Sequence, residues 1–221
     1  MTLFRNTLFS TLVREKSKLT SLIVLLVLQL TLISWQTNRY TPQESPWRFE
    51  TFDSCTSMVS FYLFALIIIN NTGITWEGKR DGVSVDALYS TVRHAVFQKF
   101  VGGVIYITVL SVVLFPILYH FGFNFLYLLC GYLYVIGFGS LCLLPINIMC
   151  EMSHQTNWNL RSPRHILPLL LLLPAFGGYV LISEFINDTT WQTAVVLIIL
   201  AVLSLLVYKP MAIFLLKRYD I

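Results

Sequence analysis

Residues 191–216 read WQTAVVLIILAVLSLLVYKPMAIFLL, an apolar run whose one charged side chain is Lys209. A helix rises about 1.5 Å per residue and a bilayer's hydrocarbon core is about 30 Å thick, so roughly 20 such residues make a crossing. Five further apolar runs lie upstream, at residues 19–36, 56–76, 100–119, 123–148 and 166–183. The second carries Asn70, Asn71, Thr72 and Gly73 near its end, but its centre, Phe61 to Ile69, is uninterrupted. The pattern predicts an all-α membrane protein of six transmembrane helices, with residues 1–221 forming a single membrane domain. Composition agrees: 56% of residues are hydrophobic and 12% charged, and the mean hydropathy is +0.72. These values argue against a soluble class, and the six runs leave only short loops, with no room for a separate soluble domain.

Orientation follows from Lys and Arg, which are retained in excess on the cytoplasmic side. Arg5, Arg14, Lys16, Lys18, Lys79, Arg80, Arg93, Lys99, Arg161, Arg164, Lys209, Lys217 and Arg218 fall on one side, and only Arg39 and Arg48 on the other. Both termini are therefore expected in the cytoplasm. The same bias accounts for the net charge of +4, so no nucleic-acid partner is implied. Residues 1–18 resemble the basic start of a signal peptide, but no small-residue cleavage site follows the run that ends Ile33-Ser34-Trp35-Gln36, so it reads as a retained first span. Ahead of it, Phe4, Leu8, Leu12 and Phe9 share one face of residues 3–14, the pattern of an amphipathic helix lying in the membrane surface. The outer loop from Gln36 to Ser54 holds Trp47, Phe49 and Phe52, aromatic residues suited to the headgroup region.

Metalloprotease, nucleophile-elbow, paired-cysteine and phosphate-loop motifs are all missing, and Gly78-Lys79 lacks a preceding glycine loop. No catalytic residue, metal site or resident cofactor is expected. Cys55, Cys130, Cys142 and Cys150 read as small apolar filler. His94, His120, His154 and His165 all fall in loops or at span ends, and the mid-span stretches contain no ionisable residue that would mark an ion or proton pathway. Glycines at 102, 103, 131, 137, 139, 177 and 178 suit close helix approach, within the bundle or against a second subunit. Pro116, Pro145, Pro168 and Pro174 add kinks or breaks in spans three to five.

The informative loop is residues 77–99, EGKRDGVSVDALYSTVRHAVFQK. Read as a helix, Val85, Leu88 and Val92 share an apolar face with Asp86 and Arg93 elsewhere, as in a short amphipathic helix against the inner surface. The six-span plan with an amphipathic N-terminus resembles the membrane subunit of type 2 ABC exporters. That family carries, between spans two and three, an acidic residue, a glycine, a second acidic residue, a leucine, a turn that often contains proline, a basic residue, and a lysine opening span three. Glu77, Gly82, Asp86, Leu88, Arg93 and Lys99 match it. Asp86 comes one position late, and Ser90-Thr91-Val92 stands where the proline turn is usual. The basic close Lys217-Arg218 is also similar to these subunits.

The resemblance implies a coupling helix at residues 77–99 that docks on a separate cytoplasmic ABC ATPase, which would hold the ATP and magnesium. It also implies a second permease subunit, identical or not, and a multi-pass location in the plasma membrane, the inner membrane of a bacterium. The chain itself would be a non-catalytic permease, exporting an amphipathic or hydrophobic molecule such as a lipid, peptide, drug or glycolipid. Tyr106, Tyr127, Tyr132, Tyr134 and Tyr179 would be polar handles on otherwise apolar walls. Two other readings stand beside it: a subunit similar to the B subunit of the cytochrome c maturation haem exporter, and a non-transporting membrane scaffold.

Overall fold

The structure, a computed structural model, describes residues 16–39, 56–71, 85–120, 125–156, 166–185 and 190–218. All secondary structure among them is helical: α1 (Lys16–Arg39), α2 (Thr56–Asn70), α3 (Val85–His120), α4 (Phe125–Tyr134), a five-residue π segment (Val135–Gly139), α5 (Ser140–Thr156), α6 (Ile166–Phe185) and α7 (Thr190–Arg218). Each of the six apolar runs holds one of these rods, with α4, the π segment and α5 forming a single one. Residues 3–14, read as an amphipathic helix, and most of the outer loop 36–54 lie outside the described residues, although α1 carries the helix as far as Arg39.

Three of the helices are long and apolar enough to cross a membrane: Val92–His120, Leu128–Cys150 and Trp191–Arg218. Met58–Asn70 and Leu173–Ile182 are shorter apolar helices. These features mark the chain as a membrane protein.

In such a solvent, lipid tails are as apolar as leucine, so helices associate through close packing and hydrogen bonds rather than through escape from water. The most enclosed element is α2, which lies against α1, α3, α4, the π segment, α5 and α6. Met58, Val59, Tyr62, Leu63 and Leu66 are all buried there, and Phe64 is its one exposed large hydrophobe. By contrast α3 and α7 turn much of their surface outward, through Val101, Ile105, Val109 and Val112 on one and Ile199, Val202 and Leu206 on the other. Several Ser and Thr hydroxyls donate within their own helix: Thr20 to Lys16 O at 2.8 Å, Ser21 to Ser17 O at 2.9 Å and Thr108 to Val104 O at 2.7 Å. Folding back on the preceding turn satisfies a donor that lipid cannot.

Glycine at 137 has a steric cause. A Cβ there would lie 2.5 Å from the Ala201 carbonyl oxygen and 2.7 Å from its Cα, so the π segment and α7 meet backbone to backbone. Gly103, Gly131, Gly139 and Gly178 likewise face side chains inside the bundle, whereas a Cβ on Gly177 would meet nothing within 4 Å. Pro116, Pro145, Pro174 and Pro210 all sit inside helices.

Residues 85–99 depart from the expected separate surface helix. They are the opening turns of α3, which continues without a break to His120. Lys99 is thereby drawn into the opening part of the apolar span Val92–His120 and is fully buried. The cause is its partner, described next.

Candidate functional site

One end of the bundle brings together the start of α1, the close of α2, the first turns of α3, and the neighbouring parts of α5 and α7. It is the end to which Lys16, Lys18, Arg93, Lys99, Lys209, Lys217 and Arg218 belong, while Arg39 closes α1 at the opposite end.

Where α2 stops, its last carbonyls have no further turn to accept from, and a buried helix end without partners is expensive. Two lysines supply them. Lys99 Nζ donates to Asn70 O at 2.9 Å, and Lys18 Nζ donates to Asn71 O at 2.8 Å. Both ammonium groups stand at the negative end of the α2 dipole, where a cation is favoured. Leu22, Ala65, Ile69 and Ala95 pack in one buried cluster beside this clasp and join α1, α2 and α3.

The opposite flank of the same α3 segment packs on α5 and α7. Val92, Val96, Leu144, Ile148, Tyr208, Ala212 and Leu216 form a second buried cluster. Tyr208 stacks on Phe100 with ring centres 4.2 Å apart and meets Phe97 edge-on at 6.4 Å. Asn147, fully buried, donates from Nδ2 to Val96 O at 3.3 Å, its amide lying beside the Tyr208 side chain. Its Oδ1 is buried without a hydrogen-bond partner, as is Gln98 Oε1. Gln98 Nε2 donates to His94 Nε2 at 2.9 Å, which places the proton of a neutral ring on Nδ1.

Of the six residues singled out in the sequence, four belong to described helix. Glu77 and Gly82 lie outside the described residues. Asp86 and Leu88 belong to the first turns of α3, with Asp86 two turns before Arg93 and in the same register. Arg93 is exposed. Lys99 is turned inward to α2. The outward side of this helix start therefore offers Arg93 and His94, both exposed, while Val92, Ala95, Val96 and Lys99 anchor it. Sequence reading missed Asn147 and Gln98; the available signal for Asn147 was an amide in the closing turn of the run 123–148, well away from Asn124 at its start.

Of the tyrosines read as handles, Tyr132 and Tyr134 are hydrogen-bonded within the bundle, and the side chain of Tyr127 lies outside those described. Tyr132 Oη lies 2.7 Å from Thr108 Oγ1, and Tyr134 Oη donates to Ala175 O. Tyr179 is fully buried and Tyr106 half-buried. Because Ser111 donates to Ile107 O at 2.8 Å, Tyr62 is the donor in its 2.6 Å bond to Ser111. Among the described residues, no three His, Cys, Asp or Glu side chains come together as a metal site.

Fold and site thus define an all-helical membrane protein whose third helix begins in a clasped, basic end. No family model, curated protein or solved structure matches the chain.

Proposed function

We propose that this chain is the membrane subunit of an ATP-driven exporter of the type 2 ABC kind. In this reading it crosses the membrane six times with both termini in the cytoplasm, pairs with a second permease subunit, and moves an amphipathic or hydrophobic molecule. The observation that carries the reading is the continuity of α3. Residues 85–99, which include four of the six motif-like positions, share one 36-residue helix with the apolar stretch that follows. A partner binding the outward face of those turns would push on a rigid rod rather than on a loop. ATP binding and hydrolysis on that partner would then alter the relative stability of two packings of the bundle.

The test is gentle purification of the tagged chain from its native host, with identification of the proteins that accompany it and an assay of nucleotide hydrolysis. A stoichiometric ATPase is the expected companion. Charge reversal at Glu77 or Asp86 should lower the yield of the complex while leaving membrane insertion intact. A preparation free of ATPase under several mild conditions would displace the exporter reading in favour of a membrane scaffold.

A further inference from the structure

The sequence of α6 contains a weak turn, Pro174-Ala175-Phe176-Gly177-Gly178. Proline removes a helix donor and glycine disfavours the helix, so this stretch has the poorest intrinsic helicity of its rod. One side chain from another element grips it. Tyr134, fully buried at the end of α4, donates its hydroxyl to the carbonyl of Ala175 and lies against the Tyr179 backbone. Gly178 makes the notch, because a Cβ there would stand 2.9 Å from the Tyr134 oxygen. The Tyr134 ring is flanked by Phe138 at 5.5 Å and Tyr179 at 5.7 Å.

The gripping residue is itself placed at an irregularity. Tyr134 is the last residue before the π segment Val135–Gly139, where the hydrogen-bond ladder carries an extra residue. The Ser140 N–H is there shared between Gly137 O and Val135 O. Removing or sliding such a bulge turns one side of the rod relative to the other by about 100° per residue, which would carry the tyrosine out of its notch. Gly137, inside the bulge, rests on the Ala201 backbone of α7, so three rods meet at this point.

We propose that Tyr134 is a latch, holding the Pro174–Gly178 turn of α6 closed, and that shifting the π segment releases the latch and lets α6 hinge. This is a property of the chain alone and stands or falls independently of any ATPase partner.

The test uses the full chain in lipid nanodiscs, with spin labels introduced as encoded amino acids at the exposed positions Leu126 and Leu181, read by pulsed electron resonance. A control pair sits at Leu126 and Val195, also exposed. In Tyr134→Phe, which keeps the ring and loses only the hydroxyl, a second α4–α6 distance should grow about fivefold in population, the effect of one lost hydrogen bond. Gly178→Ala, which expels the hydroxyl without deleting it, should give the same second distance, while the control pair stays unchanged. Distributions in both variants that superimpose on the parent overturn the latch, as does equal broadening of the control pair.

Discussion

Lys99 shows how one residue can be read in two ways. In the sequence it opens a span, beside a basic loop, and reads as an interfacial charge. In the fold it is fully buried, and its ammonium closes the end of α2 on Asn70 O. Lys99→Met retains an unbranched apolar stem but leaves a buried carbonyl unmet. The expected loss is about 1–3 kcal/mol, seen as a lower thermal unfolding midpoint of the purified protein. Asn147 gives the opposite expectation. Its Oδ1 has no hydrogen-bond partner, and its Nδ2 contact to Val96 O is long at 3.3 Å. Asn147→Leu removes an unsatisfied group, so stability should hold or rise by up to about 1 kcal/mol. Asn147→Asp puts a carboxylate where Nδ2 faced the Val96 carbonyl, and should lower the midpoint clearly. If Leu proved as damaging as Asp, the amide would have a partner that this packing does not contain.

At the scale of elements, glycine position decides the outcome. Gly137→Ala drives a Cβ to within 2.5 Å of the Ala201 carbonyl oxygen, so the π segment and α7 must part; a loss of about 1–3 kcal/mol is expected. At Gly177 a Cβ meets nothing within 4 Å, and the same substitution should be neutral or stabilising by up to about 1 kcal/mol through helix propensity. Thermal unfolding of the two variants side by side checks the pair. The sequence treats these two glycines alike. Only the placement of α7 separates them, because close approach is a property of two chains of backbone rather than of one. The same holds for α3. Heptad-like spacing of Val85, Leu88 and Val92 made residues 85–92 legible as a helix, and the burial of Val92 agrees with the apolar side chosen. Fusion of that helix with the following span was not legible, since nothing in the local pattern says whether a turn intervenes at the membrane surface.

For the whole molecule, the distribution of basic residues carries the argument. Every described Lys and Arg except Arg39 belongs to one end of the bundle, as retention of positive charge on the cytoplasmic side requires. Under the proposed topology, a cysteine placed at Ser45 should react with an impermeant thiol reagent added outside intact cells, and one at Ser162 should not. The reverse pattern would invert the topology. The test is made in a Cys55→Ser background, because Cys55 borders the outer loop; among the described thiols Cys130 is buried, and Cys142 and Cys150 are half-buried.

Hydrophobicity and charge act residue by residue, so the sequence alone was enough to settle the helical class, the membrane environment and the position of each apolar rod. Patterns of that kind survive without knowledge of neighbours, because lipid acts as a uniform solvent on any exposed apolar face. The tertiary structure alone decided which polar groups face each other: two lysines at the end of α2, Tyr134 in the notch of α6, and Asn147 between α3 and α7. Those assignments depend on which helices lie side by side and at what depth. In an apolar medium an unmet hydrogen bond costs several kcal/mol, so the order of packing, not the local sequence, selects each partner.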